Sequence, residues 1–84
     1  MNPNMRVLRV FHIGETPEED LEVTISPSII KVVATRDNII RDRPVKETTV
    51  FFIDDLEPME FNLSPLDALT ISQVAGAYSF GEEF

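Results

Sequence analysis

The sequence predicts a small α+β domain in which a mainly antiparallel sheet of four or five strands carries one C-terminal α-helix. Three observations favour this class. Residues 21–26 alternate apolar and polar side chains with the two-residue period of a strand that has one exposed face. The runs 29–35 and 48–53 are apolar on both faces, as buried strands are. Ser64-Pro65-Leu66-Asp67 supplies a helix start, with a capping hydroxyl, a proline at the first helical position and an acid behind it.

The first three strands are predicted in the N-terminal part of the chain. The first covers residues 5–13, where both faces hold apolar side chains. Thr16-Pro17 interrupts the pattern before the second strand at 21–26. Ser26-Pro27-Ser28 then marks a bend before the third strand at 29–35.

Residues 36–47 are predicted as a long loop, which is basic over 36–46. Asp37-Asn38 favours a turn, and Pro44 lacks the N–H group that a strand ladder needs. The fourth strand, 48–53, ends at Asp54-Asp55, which can form a tight turn. The fifth strand, 57–63, contains Pro58 and is therefore expected at a sheet edge or a bulge.

The helix is predicted over 65–75, with Gly76 as its stop and an aromatic tail at 77–84. Ala68, Ile71 and Val74 share one side, whereas Leu66 and Leu69 lie off that stripe. Unpaired strand edges and spare apolar side chains together predict a homodimer. The residues expected to reach the other chain are Leu66, Leu69, Tyr78 and Phe80.

Apolar residues on the inward faces of these elements are predicted to form the core. They are Phe11, Val23, Ile30, Val32, Phe51, Ile53, Phe61, Leu69 and Val74. The order of strands, loop, hairpin and capped helix is similar to that of small SH3-like barrel proteins with a C-terminal helix. This resemblance covers the pattern of elements without any specific motif. It implies a partial barrel and no particular function.

Length and composition set bounds on the class of protein. The 84 residues correspond to one domain, 1–84, and the 43% hydrophobic and 26% charged content is that of a globular protein. The chain has no cysteine, which excludes disulfides and is compatible with the cytoplasm. No apolar stretch reaches 18 residues, so we expect a soluble cytoplasmic protein. The net charge of −8 argues against binding to anionic membranes and against non-specific nucleic-acid binding.

The sequence contains no recognisable catalytic, metal or cofactor motif. His12 is the single histidine, so a histidine pair for a metal is excluded within one chain. Asp54, Asp55 and Glu57 lack the spacing of a calcium loop, and the three glycines form no phosphate-binding loop. We therefore predict a protein that is not an enzyme and has no catalytic residue, metal or cofactor.

Charged residues form two kinds of cluster. The acidic residues predicted to face a protein partner are Glu15, Glu18, Glu19, Asp20, Asp54 and Asp55. The basic residues that could instead bind an anion are Arg36, Arg41, Arg43 and Lys46. Arginine matches carboxylate and phosphate groups well, but these cations could equally pair with the acids of the same domain.

Three classes of function stay open at this point. The leading one is a non-catalytic module that docks on a larger protein partner. Compact acidic proteins without catalytic motifs are common among phage-encoded regulators of host machinery, so a phage-type regulator or inhibitor is predicted, with DNA mimicry as a variant. The alternatives are a structural oligomer-forming subunit and a binder of a small anion or nucleotide that uses residues 36–46.

Overall fold

The computed structural model describes the backbone of residues 7–83 and the side chains of residues 7–75. In chain order, the elements are β1 (Leu8–His12), β2 (Leu21–Ile25), β3 (Ile30–Ile40), β4 (Arg43–Phe52), β5 (Met59–Leu63) and α1 (Pro65–Glu83). β1 and β2 form one antiparallel sheet, and a second antiparallel sheet has the order β3-β4-β5. The α+β class and its C-terminal helix are therefore confirmed. A single sheet of four or five strands and a partial barrel are not confirmed.

The two sheets meet where β1 approaches β5. Ile13 N–H donates to the Asn62 carbonyl at 2.7 Å, and Asn62 N–H donates to His12 Nδ1 at 3.1 Å. Also on β1, Phe11 N–H donates to Asp67 Oδ2 at 3.1 Å. Two side chains thus accept hydrogen bonds from backbone N–H groups at this junction.

The helix begins as the sequence predicts. Asp67 N–H donates to Ser64 Oγ at 3.1 Å, and Ala68 N–H donates to the Ser64 carbonyl at 2.9 Å. Ser64 is therefore the N-cap residue and Pro65 opens the first turn.

The predicted helix end is wrong. α1 runs past Gly76 to Glu83, so most of the segment expected to be an aromatic tail is helical backbone. A glycine inside a helix costs only about 1 kcal/mol relative to alanine, which is not enough to end one. The side chains of Tyr78 and Phe80 lie outside the described residues.

The predicted loop at 36–47 is wrong as well, because β3 and β4 form a long hairpin there. Its turn is Arg41-Asp42, and both residues have positive φ (51° and 61°), as in the two-residue turns that suit hairpins. Pro44 is tolerated because it lies opposite Ile39 in a non-hydrogen-bonded pair, with its nitrogen directed away from β3. β5 pairs with β4 only over residues 46–50, so Pro44 faces no other strand.

The main core is built from both sheets and α1. Its buried members are Val10, Ile25, Ile30, Val50, Phe61, Leu63, Ala68, Ile71 and Ala75. Ile30 and Phe61 were predicted to be in this core, and Val23 packs against it. Val74 is half-buried.

Five residues predicted for the core are exposed instead. They are Phe11, Val32, Phe51, Ile53 and Leu69. Register explains the error at Phe11, because directly opposed residues of antiparallel strands share a face. Phe11 lies opposite Glu22 and is 57% exposed, whereas its neighbour Val10 lies opposite Val23 and is buried.

Candidate functional site

The first predicted acidic cluster, residues 15–20, forms an exposed loop between β1 and β2. Pro17–Glu19 is a short 3₁₀ turn, closed by Glu19 N–H donating to the Thr16 carbonyl at 3.0 Å. The side chains of this cluster are exposed, and Glu19 Oε2 accepts a hydrogen bond from the Thr16 hydroxyl at 3.2 Å. We call residues 15–20 the acidic loop.

Asp20 has a structural role within the acidic loop. Its Oδ1 accepts a hydrogen bond from Gly14 N–H at 2.9 Å, and Arg41 Nη2 donates to both of its carboxylate oxygens at 2.9 and 3.0 Å. The β3–β4 turn is thereby tied to the acidic loop. The hydrogen bond from Gly14 is the main reason that the pKa of Asp20 lies below its ordinary value, and Arg41 lowers it further.

We expect Asp20 to titrate below pH 3.8, its ordinary value, in a carbon-detected NMR titration of the side-chain carboxyl. Because folding lowers this pKa, the ionised Asp20 carboxylate stabilises the folded state. This stabilisation is fully present above the unfolded-state pKa and is lost as the pH falls through the folded-state pKa. Arg41→Gln should move the midpoint only part of the way back, since Gly14 N–H remains. A wild-type midpoint at or above 3.8 would refute this account of the loop.

Three of the four predicted anion-binding residues already bind carboxylates of the same chain. Arg41 pairs with Asp20, Arg36 Nε donates to Glu47 Oε1 at 2.8 Å, and Lys46 pairs with Asp37. Arg43 is exposed and has no ion pair among the described residues. Most of the predicted anion-binding cations are therefore already paired with carboxylates of the same chain.

The second predicted acidic cluster lies at the connection between β4 and β5. Asp54 and Asp55 both have φ of 58° and form a tight turn in which Leu56 N–H approaches the Ile53 carbonyl at 3.4 Å. Aspartate tolerates this left-handed conformation better than most residues. The turn directs both carboxylates into solvent.

Exposed apolar side chains surround this turn. Leu56 is 53% exposed and Met59 is 49% exposed, and Phe51 and Ile53 are each 37% exposed. Four exposed acids lie within the same ten residues: Asp54, Asp55, Glu57 and Glu60. None of these four carboxylates has an ion pair among the described residues. We call residues 51–60 the acidic end.

The charge of the chain is divided sharply within β4, between Lys46 and Glu47. Residues 1–46 contain all seven lysines and arginines together with seven acids, so their net charge is zero. Residues 47–84 contain eight acids and no lysine or arginine, so they account for the whole net charge of −8. The acidic end lies in the half that carries the net charge, whereas the acidic loop lies in the half whose charges balance.

The two leucines predicted for an oligomer interface lie on the exposed side of α1. Leu66 is 71% exposed and Leu69 is 54% exposed. Leu69 lines a shallow groove of about 310 Å³ together with Thr35 of β3 and Lys46 of β4. The groove places apolar helix surface directly beside β3.

His12 lies at the junction between the two sheets and links β1 to β5. Its Nδ1 accepts a hydrogen bond from Asn62 N–H, and its ring packs edge-on against Phe61 with centroids 6.3 Å apart. The proton of the neutral imidazole is therefore on Nε2 in this arrangement. Within the described part of the chain, no three acidic or histidine side chains lie close enough to hold a metal ion.

Comparison with protein-family models, with curated proteins and with solved structures finds no match for this chain. Among the described residues, no helix combines the length and the apolarity that crossing a membrane requires. The acidic end includes exposed residues that the predicted partner-binding set omits, namely the apolar residues Phe51, Ile53, Leu56 and Met59 and the acids Glu57 and Glu60. The distribution of charge along the chain points to the two acids, whereas the exposure of the apolar residues depends on strand register.

Proposed function

We propose that this protein is a non-catalytic interaction module that docks through its acidic end on a basic surface of a larger protein, and that it regulates or inhibits that protein. The observation that carries the proposal is the combination, within ten residues, of exposed apolar side chains and acids without ion pairs. Apolar anchors provide most of the energy of a protein interface, and complementary charge sets the approach rate and the choice of partner.

The charge distribution supports the acidic end over the acidic loop. Asp20 is already engaged by Gly14 and Arg41, and the segment around the acidic loop is balanced by cations. The acidic end has no lysine or arginine in its own segment and lies in the half of the chain that carries the net charge. A basic partner is therefore attracted most strongly to the acidic end.

Affinity capture from a lysate of the encoding organism tests this proposal with two matched variants. The first variant removes four charges from the acidic end by Asp54→Asn, Asp55→Asn, Glu57→Gln and Glu60→Gln. Asparagine keeps the left-handed turn. The second variant removes four charges in and beside the acidic loop by Glu15→Gln, Glu18→Gln, Glu19→Gln and Glu22→Gln, and it keeps Asp20.

We expect a basic protein that is retained by the wild type and the second variant and is lost with the first. For that partner, removing the acidic-end charges should lower the association rate by about tenfold or more at low ionic strength. Loss with the second variant alone would assign docking to the acidic loop and contradict the proposal. Equal retention by both variants would also contradict it.

We do not propose the small-anion alternative for the hairpin. Arg36, Arg41 and Lys46 already form ion pairs within the chain, so an anion would have to displace a carboxylate from each of them. The structural-subunit alternative concerns a different surface, the outer side of β3.

A further inference from the structure

Strand β3 is an edge strand with unsatisfied backbone groups on its outer side. Ile40 and Arg43 flank the two-residue turn as a hydrogen-bonded pair, so the odd-numbered residues of the regular part of β3 direct their N–H and C=O groups away from β4. Ile39 N–H is satisfied by Asn38 Oδ1 at 2.8 Å. No partner among the described residues satisfies the outward groups of Val33, Thr35 and Asp37. Such an edge is a template for one more strand.

The charges beside this edge are neutralised within the hairpin. Arg36 lies directly opposite Glu47, and Asp37 lies directly opposite Lys46, with an ion pair in each case. The edge therefore presents little net charge, although the whole chain carries −8. Two acidic chains repel each other least where their local charge is balanced, because at physiological salt only charges within about 8 Å are felt strongly. A second copy suits this edge, whereas a highly charged peptide finds no complementary charge here.

We propose that a second copy of this chain pairs with the β3 edge, antiparallel and about a two-fold axis at Thr35. In this register Thr35 lies opposite Thr35 of the partner subunit, Arg36 lies opposite the partner's Ala34, and Asp37 lies opposite the partner's Val33. The outward groups of both strands then form roughly six backbone hydrogen bonds, two for each closely spaced pair. No like charges are directly opposed, and paired threonines are favourable cross-strand neighbours.

Neighbouring registers are less favourable. Sliding one strand by two residues in one direction places Arg36 opposite itself, and sliding by four places Asp37 opposite itself. Sliding in the other direction brings the irregular pairing between Ile30 and Val32 into the new ladder. The register centred on Thr35 uses only the regular part of β3.

The helix supplies an apolar contact at the same place. Leu69 lines the groove with Thr35 and is 54% exposed in a single chain. A two-fold axis at Thr35 brings both copies of Leu69 to the same side of the joined strands, where each can cover the other. This contact gives a role to Leu69, which lies on α1 outside the stripe of core residues.

This inference goes beyond the docking proposal and uses a different surface, so either can fail without the other. A single cysteine tests it cleanly, because the chain has none of its own. Thr35→Cys places two thiols directly across the axis, within the reach of a disulfide after a small adjustment. Asn38→Cys lies on the same exposed edge, but in this register the two cysteines are about 20 Å apart along the strands. Glu57→Cys, at the acidic end, measures how fast disulfides form by random collision of two chains.

Under mild oxidation of dilute protein, we expect Thr35→Cys to form a covalent dimer faster than both other variants, on the order of tenfold or more, because pairing raises the local thiol concentration. Equal rates for the three variants would overturn the proposal. Faster cross-linking of Asn38→Cys than of Thr35→Cys would overturn the register.

Sedimentation equilibrium with Thr35→Pro provides a second readout. Proline at this outward-facing position removes one N–H of the edge and none of the bonds to β4, as Pro44 already does on the neighbouring strand. We expect a folded monomer by circular dichroism and sedimentation, whereas the wild type sediments as a dimer. A monomeric wild type at the highest concentration reached, or a Thr35→Pro variant that dimerises as tightly as the wild type, would contradict the proposal.

Discussion

Replacing Leu63 by alanine should lower the free energy of unfolding by about 2–5 kcal/mol, a large loss for a single truncation. Leu63 is 0% exposed and lies in the core cluster shared by both sheets and α1. The loss combines the transfer free energy of the removed atoms with the cost of the cavity that they leave. Urea unfolding followed by circular dichroism measures it.

Leu66→Ala is the matched control, because it removes the same atoms from a side chain that is 71% exposed. Its free energy of unfolding should change by no more than about 0.5 kcal/mol when measured on the monomer. Equal losses for the two variants would mean that the core does not lie between α1 and the sheets as described.

Replacing Gly14 by alanine should cost about 1–3 kcal/mol. Gly14 is buried, and a Cβ placed on it would touch the Glu19 Cβ and come within 2.9 Å of the Glu19 carbonyl carbon. Since the obstacle includes backbone, the acidic loop must move as a unit. The same movement stretches the hydrogen bond from Gly14 N–H to Asp20, so we also expect the pKa of Asp20 to rise toward its ordinary value.

Glu15→Ala is the control for this substitution, because Glu15 is the exposed next residue and makes no hydrogen bond or ion pair with the described residues. In the Glu15→Ala variant, the free energy of unfolding and the pKa of Asp20 should stay at the wild-type values. A Gly14→Ala variant as stable as the wild type would show that the acidic loop does not pack on Gly14.

The sequence predicts the elements better than it predicts their faces. The helix start at Ser64 follows from local chemistry, in which a hydroxyl, a proline and an acid each have one favourable position. The inward face of β1 does not follow, because both of its faces are apolar and the choice depends on pairing with β2. The pairing of Phe11 with Glu22 of β2 determines which face of β1 is exposed, since two directly opposed residues share a face.

The hairpin of β3 and β4 could not be predicted from turn chemistry. Its turn residues, Arg41 and Asp42, lack the glycine or asparagine that normally marks positive φ. Pro44 indicates a loop because it lacks the N–H group that a strand ladder uses. That group is needed only where another strand lies on the same side, and β5 stops short of Pro44. The consequence for the site is large, since the segment predicted as a free basic loop is a hairpin, and three of its four predicted anion-binding residues are paired with carboxylates.

The candidate docking surface is predictable in part. The acids at Asp54 and Asp55 and the tight turn between them are evident from the sequence. The exposure of Phe51 and Ile53 is not, because a run of four apolar residues predicts burial on both faces. Only the register of β4 with its neighbours shows that Val50 is buried while Phe51 faces outward.

The most direct test of the docking proposal is the salt dependence of the dissociation constant between this protein and the partner that it captures. If the acidic end guides binding, the affinity falls as the salt concentration rises, and the slope becomes clearly shallower after Asp54→Asn, Asp55→Asn, Glu57→Gln and Glu60→Gln. The four-charge variant near the acidic loop should keep most of the wild-type slope. A slope that is unchanged by removing the acidic-end charges would contradict the account.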